Sequence, residues 1–176
     1  MAPAQLQLSE PVIDAALTKL RAGMASRLQA INTQFADNMP LWIPSDSDFY
    51  FAGVADSAPI PLVVVTDGGT GDQGRFAEEG PHSLAIQLQL VILVCDQDAD
   101  RQRLARKLLR LERAVTEVLY DDEPKEQLVV TVDGVTNYPY IRPARLVPGP
   151  VFNPEDDSSM FRQWRIVVFD VLKYEN

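Results

Sequence analysis

The sequence predicts an α+β domain, with a mixed, mainly antiparallel sheet flanked by two helices and with long loops. Three observations carry that expectation. Two segments place apolar residues at steps of three and four, the spacing of one helix face. Several others alternate or run apolar at strand length. Their order is helix, strands, helix, strands, which is not the regular alternation of a parallel α/β fold. With 176 residues, 46% of them hydrophobic, the chain is expected to form a single domain, residues 1–176.

The first helix is expected over Ser9 to Ile31. Ile13, Leu17, Leu20, Met24, Leu28 and Ile31 share a face, Ser9 can cap it, and Pro11 is tolerated in the first turn. Ala15, Ala16, Ala22 and Ala25 would allow a neighbour to approach closely, while Gly23 weakens the helix locally. From Asn32 to Pro61 regular structure is hard to find. Pro40, Pro44, Pro59 and Pro61 interrupt it, and Ser45-Asp46-Ser47-Asp48 reads as a turn. Yet Leu41, Trp42, Ile43, Phe49, Tyr50 and Phe51 are apolar, so residues 32–61 are expected to dock, either on the chain's own core or on a partner.

Strands are expected over Pro61–Thr66 and Ser83–Cys95. The first half of the second alternates with Gln87 and Gln89. Its second half is apolar throughout and should be covered on both faces. A second helix is expected over Asp96 to Tyr120, capped by Asp96 or Asp98, with Leu104, Leu108, Leu111, Val115 and Val118 inward. Asp121, Asp122 and Glu123 follow it, where acids oppose the helix dipole, and Pro124 ends it. Sheet is expected again over Leu128–Val132 and, after an Asp133-Gly134 turn, over Val135–Val147. An acidic loop spans Pro148 to Ser159, and a last strand spans Met160 to Tyr174.

Composition excludes several functions. A net charge of −9 argues against general binding to a nucleic-acid backbone, although an acidic surface lets DNA pass without adhering. One Cys and one His rule out a disulfide framework within the chain and leave a Cys/His zinc site without ligands. Cys95 reads as a small buried hydrophobe. The start, MAPAQLQLSEP, lacks a basic region and an apolar core, so no signal peptide is expected. The apolar run Leu90 to Cys95 is too short to span a bilayer.

Two motifs invite chemistry and fail on geometry. Gly69 to Gly74, GTGDQG, fits the dinucleotide pattern after a strand, and Asp96 and Asp98 stand roughly where a ribose-binding acid would. That reading needs a helix at the glycines. Only Arg75-Phe76-Ala77-Glu78-Glu79 separate Gly74 from the Gly80-Pro81 stop, too few for a crossover. Asp72, Glu78 and Glu79 would also repel a phosphate. Asp96, Asp98 and Asp100 have the opening spacing of a calcium loop, but Arg101 and Lys107 stand where it needs Gly and Glu. His82 has no nucleophile pattern to serve. No catalytic set, metal site or cofactor is expected.

The strongest charge asymmetry is the basic run of the second helix. Arg103, Arg106, Arg110 and Arg113 fall on one stripe. A solvated face, pairing with an acidic patch of another subunit, and nucleic-acid contact are all open, the last disfavoured by net charge and by the lack of interleaved aromatics.

The order of elements resembles the tail terminator and head–tail joining proteins of tailed bacteriophages. The resemblance lies in an amphipathic first helix, a Pro-rich connection and an apolar strand, then a long Gly/acidic loop. A strand ending Val94-Cys95-Asp96 leads into LARKLLRLERAVTEVL, and RQWRIVVFDVLKY closes the chain. It covers most of the chain and rests on no diagnostic motif; residues 32–61 are hardest to match. It implies a structural, non-enzymatic virion protein, made in the host cytoplasm. It also implies a homo-oligomeric ring, commonly of six, at the head-proximal end of a tail, which ends tube growth and joins the tail to the neck. Its partners would be the tail-tube protein and a neck or head-completion protein, with DNA passing through and no membrane involved. Another neck or head-completion ring is the alternative, and a nucleotide enzyme using Gly69–Gly74 a remoter one. On this reading Arg103, Arg106, Arg110, Arg113, Trp42 and Phe49 are candidate interface residues. The loop acids Asp72, Glu78, Glu79, Glu155, Asp156 and Asp157 are candidates to face the channel.

Overall fold

The computed structural model of the chain describes residues 9–51, 59–68, 83–152 and 160–175. Helix α1 spans Ser9–Phe35, one turn past the expected end. Its buried stripe is the expected one, joined by Val12 and Ala16, and Ser9 lies within the first turn. After it come β1 (Phe49–Phe51), β2 (Leu62–Asp67), β3 (Ser83–Asp98) and α2 (Arg101–Thr116). A single π turn, Glu117–Asp121, prolongs α2. The remaining strands are β4 (Val130–Val132), β5 (Val135–Asn137), β6 (Tyr140–Phe152) and β7 (Phe161–Glu175).

The main sheet has the order β1-β2-β3-β7-β6, with β1 and β2 parallel and every other pair antiparallel. The α+β expectation is thus met. Strands β4 and β5 form a separate hairpin, turned by Asp133 and Gly134 at φ 50° and 76°. Those positive φ values are what an Asp-Gly turn supplies. Strands β3 and β7 are the long central pair, joined from Ser83↔Glu175 to Asp98↔Phe161.

Three expected boundaries are corrected. Residues 32–61 are not wholly irregular: they hold the last turn of α1, a 3-10 turn at Asp46–Asp48 and strand β1. A parallel partner so short leaves no period for a sequence pattern to show. Asp96 and Asp98 belong to β3, because the ladder to β7 continues through Asp96↔Gln163. Helix α2 starts only at Arg101. Strand β6 also runs on through Pro148, where a loop was expected, because β7 offers partners as far as Arg162. Proline is tolerated there because β6 is an edge strand.

Both helices lie on the same face of the sheet. One apolar cluster joins Leu20, Met24 and Leu28 of α1 to Leu104, Leu108 and Leu111 of α2 and to the inward residues of the strands. Leu41 and Phe49 enter this core, and Trp42 and Ile43 pack against it. The apolar residues of 32–61 therefore dock largely on their own chain, although Phe51 stays 43% exposed. The opposite face carries a smaller cluster, Leu62, Val64 and Cys95, packed with Tyr50, Leu93 and Trp164. Cys95 is fully buried, and burial pushes its thiol up to about 12, so it is an inert hydrophobe rather than a nucleophile.

The helices run antiparallel and meet closely at Gly23. A Cβ at that position would stand 2.8 Å from Val118 Cγ1. Glycine here is a spacer that lets α1 reach the π turn. Gly23→Ala should destabilise the protein by about 1–3 kcal/mol through overpacking, outweighing the roughly 1 kcal/mol that alanine gains in helix propensity. Adding Val118→Ala should make the second change cost less than it does alone. Urea denaturation of the two single variants and the double variant reads this coupling.

Candidate assembly site

The basic run of α2 does not present one continuous face. Asp100, not Asp96 or Asp98, caps the helix: its Oδ1 accepts from the N–H groups of Gln102 and Arg103 at 2.8 and 3.1 Å. Arg103 turns back along β3 and donates to Asp98, with Nη2 2.7 Å from Oδ1. Lys107 Nζ lies 2.8 Å from Asp96 Oδ2 and 3.5 Å from Asp98 Oδ2. The angle of the Asp96 contact is poor for a hydrogen bond, so it is chiefly coulombic. Asp96 and Asp98 are only 2% and 5% exposed. Burial pushes the Asp98 carboxyl up. The Arg103 hydrogen bond, the Asp100 N–H and the charges of Lys107 and Arg103 outweigh it, and the group is held below the usual carboxylate range. This acidic pair is a structural lock between β3 and α2.

Arg110 is also taken up within the chain. Its guanidinium pairs with both oxygens of Asp37, reaches the Met39 carbonyl, and stands over the Phe35 ring at 4.0 Å. It therefore pins the segment after α1 against α2, and its hydrogen bond holds the Asp37 carboxyl below its ordinary value. Arg113 donates to Glu117 at 2.6 Å, one turn on, and to Gln34 at 3.2 Å. An exposed pair of that kind contributes only about 0.3–0.5 kcal/mol. Arg106 is exposed, and among the described residues it has no ion-pair partner. Beside it on the outer face of α2 lies Leu109, 52% exposed.

Of the candidate interface residues, then, Arg106 is free, Arg113 is exposed but paired, and Arg103 and Arg110 are engaged internally. Phe49 is 6% exposed in the core. The candidate channel acids Asp72, Glu78, Glu79, Glu155, Asp156 and Asp157 lie outside the described residues, as does the glycine motif.

The far end of α2 carries the opposite charge. Lys19 of α1 places Nζ 2.8 Å from the carbonyls of Leu119 and Pro124 and 3.1 Å from that of Gln127. A cation thus supplies the favourable dipole partner that the local sequence lacked. Burial lowers the Lys19 pKa, against the raising charges of Asp122 and Glu123. Arg27 pairs with Asp122 and, at 3.5 Å, with Glu117. Asp121 and Glu123 remain exposed. Nothing in local spacing marked Lys19, Arg27 or Asp37, because each acts on an element far away in the chain.

Among the described residues, no group of three or more His, Cys, Asp and Glu side chains could hold a metal ion. No described helix is long and apolar enough to cross a membrane. No protein-family model and no curated protein matches the sequence. Among solved structures, the chain is similar to a chain of one described as the virion of a native gene transfer agent particle. Identity is 14%, the match covers 88% of this chain and 95% of that one, and the TM-score is 0.38. At that score the likeness carries no argument about function.

Two outcomes follow. Lys107→Met should cost about 3–5 kcal/mol, since it leaves the buried Asp96 carboxylate without its cation while Asp98 keeps Arg103, whereas Arg106→Met should stay within about 0.5 kcal/mol; chemical denaturation compares them. The acid limb of stability should also reflect Asp98. Its folded pKa is depressed, so its contribution is complete above its unfolded value of about 4 and is lost as pH falls through the lower folded value. Asp98→Asn should be less stable at neutral pH and should lose less stability than wild type between about pH 5 and pH 2. Melting temperatures over that range would reveal the difference.

Proposed function

We propose that the chain is a structural subunit of a phage-like virion. It forms a ring, with six subunits as the commonest count, at the head-proximal end of a tail, where it stops tube growth and joins the tail to the neck. The observation that carries this reading is the architecture itself. A first helix, a Pro-bearing connection, an apolar strand, a long strand running into the second helix, and a long closing strand are the order the family resemblance implies. In the fold they form one helical layer on a mixed sheet.

The sheet edges favour contact through side chains. Strand β1 is three residues long, and β6 carries Pro143, Pro148 and Pro150 with two register shifts. Edges of that kind resist strand-to-strand addition. Subunits would then meet through surfaces such as the outer face of α2, where Arg106 has no ion-pair partner among the described residues.

The acidic loops retain their proposed role on the channel wall, where negative charge keeps DNA phosphates from adhering. Their roots constrain that role. The loop bearing Asp72, Glu78 and Glu79 leaves β2 at Gly68, beside Gln89, and the loop bearing Glu155, Asp156 and Asp157 leaves β6 at Phe152, beside Arg162 and thus near Gln97. Eight steps along β3, from Gln89 to Gln97, separate the two roots, roughly 26 Å of strand. Both loops would line one channel most directly if β3 and β7 ran along its axis.

Electron microscopy of the purified protein, with and without tail-tube protein, tests the proposal. Open-centred rings, or rings capping tubes of defined length, are expected. Well-formed tubes that stay uncapped and keep growing would overturn it.

A further inference from the structure

We infer that neighbouring copies join head to tail. The outer stripe Arg106–Leu109–Arg113 of one copy docks on the acidic end of the next, made by Asp121 and Glu123 together with the β4–β5 hairpin. The inference rests on the ring reading above and names the contact within it.

Each half of the contact is incomplete within one chain. On the solvent side of α2, Arg106 is exposed and unpaired among the described residues, Leu109 is 52% exposed between the arginines, and Arg113 holds only Glu117 and Gln34. This is a basic patch with an apolar centre. The other half is assembled by Lys19. By binding carbonyls at Leu119, Pro124 and Gln127 it draws the acidic turn and the lead into β4 together. Asp121 and Glu123 stand exposed there, with Lys125 the exposed cation beside them. The base of the hairpin, which Gln127 and Leu128 join to residues 139 and 140, shows apolar surface of its own: Val129 is 47% exposed and Tyr138 56%. This is an acidic patch with an apolar flank.

The patches match in charge and in apolar content, yet they lie apart on the molecule. Asp121 lies fifteen positions beyond Arg106, about 22 Å along the axis. One copy cannot bring them together, and a second copy can. Different patches meeting across an interface make a heterologous contact, which builds a ring when its rotation closes. Burying Leu109 against the hairpin supplies apolar area, and the charges set the register and exclude the reversed approach.

Charge reversal tests the inference, with oligomer size read by sedimentation and by microscopy on tail tubes. Wild type, Arg106→Glu, Glu123→Arg and the variant carrying both are compared. Both side chains are exposed, so melting temperatures should match wild type. Each single reversal should weaken assembly roughly tenfold or more, and the combined variant should recover it, because the swapped charges attract again. Rings that form undiminished in both single variants would overturn this contact and leave the ring reading standing. Wild type that closes as a two-copy assembly would overturn the head-to-tail arrangement. Wild type that stays monomeric alone and on well-formed tubes would overturn the ring reading, and this contact with it.

Discussion

Everything else in the structure depends on the close antiparallel contact between α1 and the end of α2. The sheet must bury its inner face, and two helices share that task. They can do so only if they also pack on each other, and Gly23 opens the space for Val118 at that crossing. Around it, Lys19 satisfies the carbonyls at the end of the π turn and Arg27 pairs with Asp122 and Glu117. The crossing is therefore apolar at its centre and ionic on its border. The border charges fix the register, while burial of Leu20, Met24 and Leu28 provides most of the driving force.

The same logic explains the fate of the arginine stripe. A row of cations on one helix face would repel itself unless acids were drawn to it. The fold brings Asp98 to Arg103 and Asp37 to Arg110, while Glu117 meets Arg113 one helical turn on. Helix α2 is thereby fastened to β3 at its start and to the chain after α1 at its middle. Only the outward edge is left to solvent. Within the stripe, the arginines that hold the fold and the exposed Arg106 thus lie on one helix, separated by which way they turn.

This division also settles the molecule's polarity. Exposed positive charge lies along the middle of α2, and exposed negative charge gathers where α2 ends. With a net charge of −9 the chain is unsuited to coating nucleic acid, which calls for a positive surface.

The sequence by itself determined what repeats locally. The stripes of α1 and α2, the long apolar strands and the Asp-Gly turn were legible because each is written in spacings of two, three or four residues. The α+β class followed from their order. The tertiary structure decided what depends on distant partners. Asp96 and Asp98 look like helix caps to any local reading, and only the β7 ladder and Lys107 make them buried strand residues. Phe49–Phe51 is a strand only because β2 lies beside it. The four arginines share a stripe in sequence, yet which of them is free was fixed by acids 5, 73 and 4 positions away. Periodicity encodes which face a side chain takes. It does not encode what waits on that face, since that is set by elements brought near only when the chain folds.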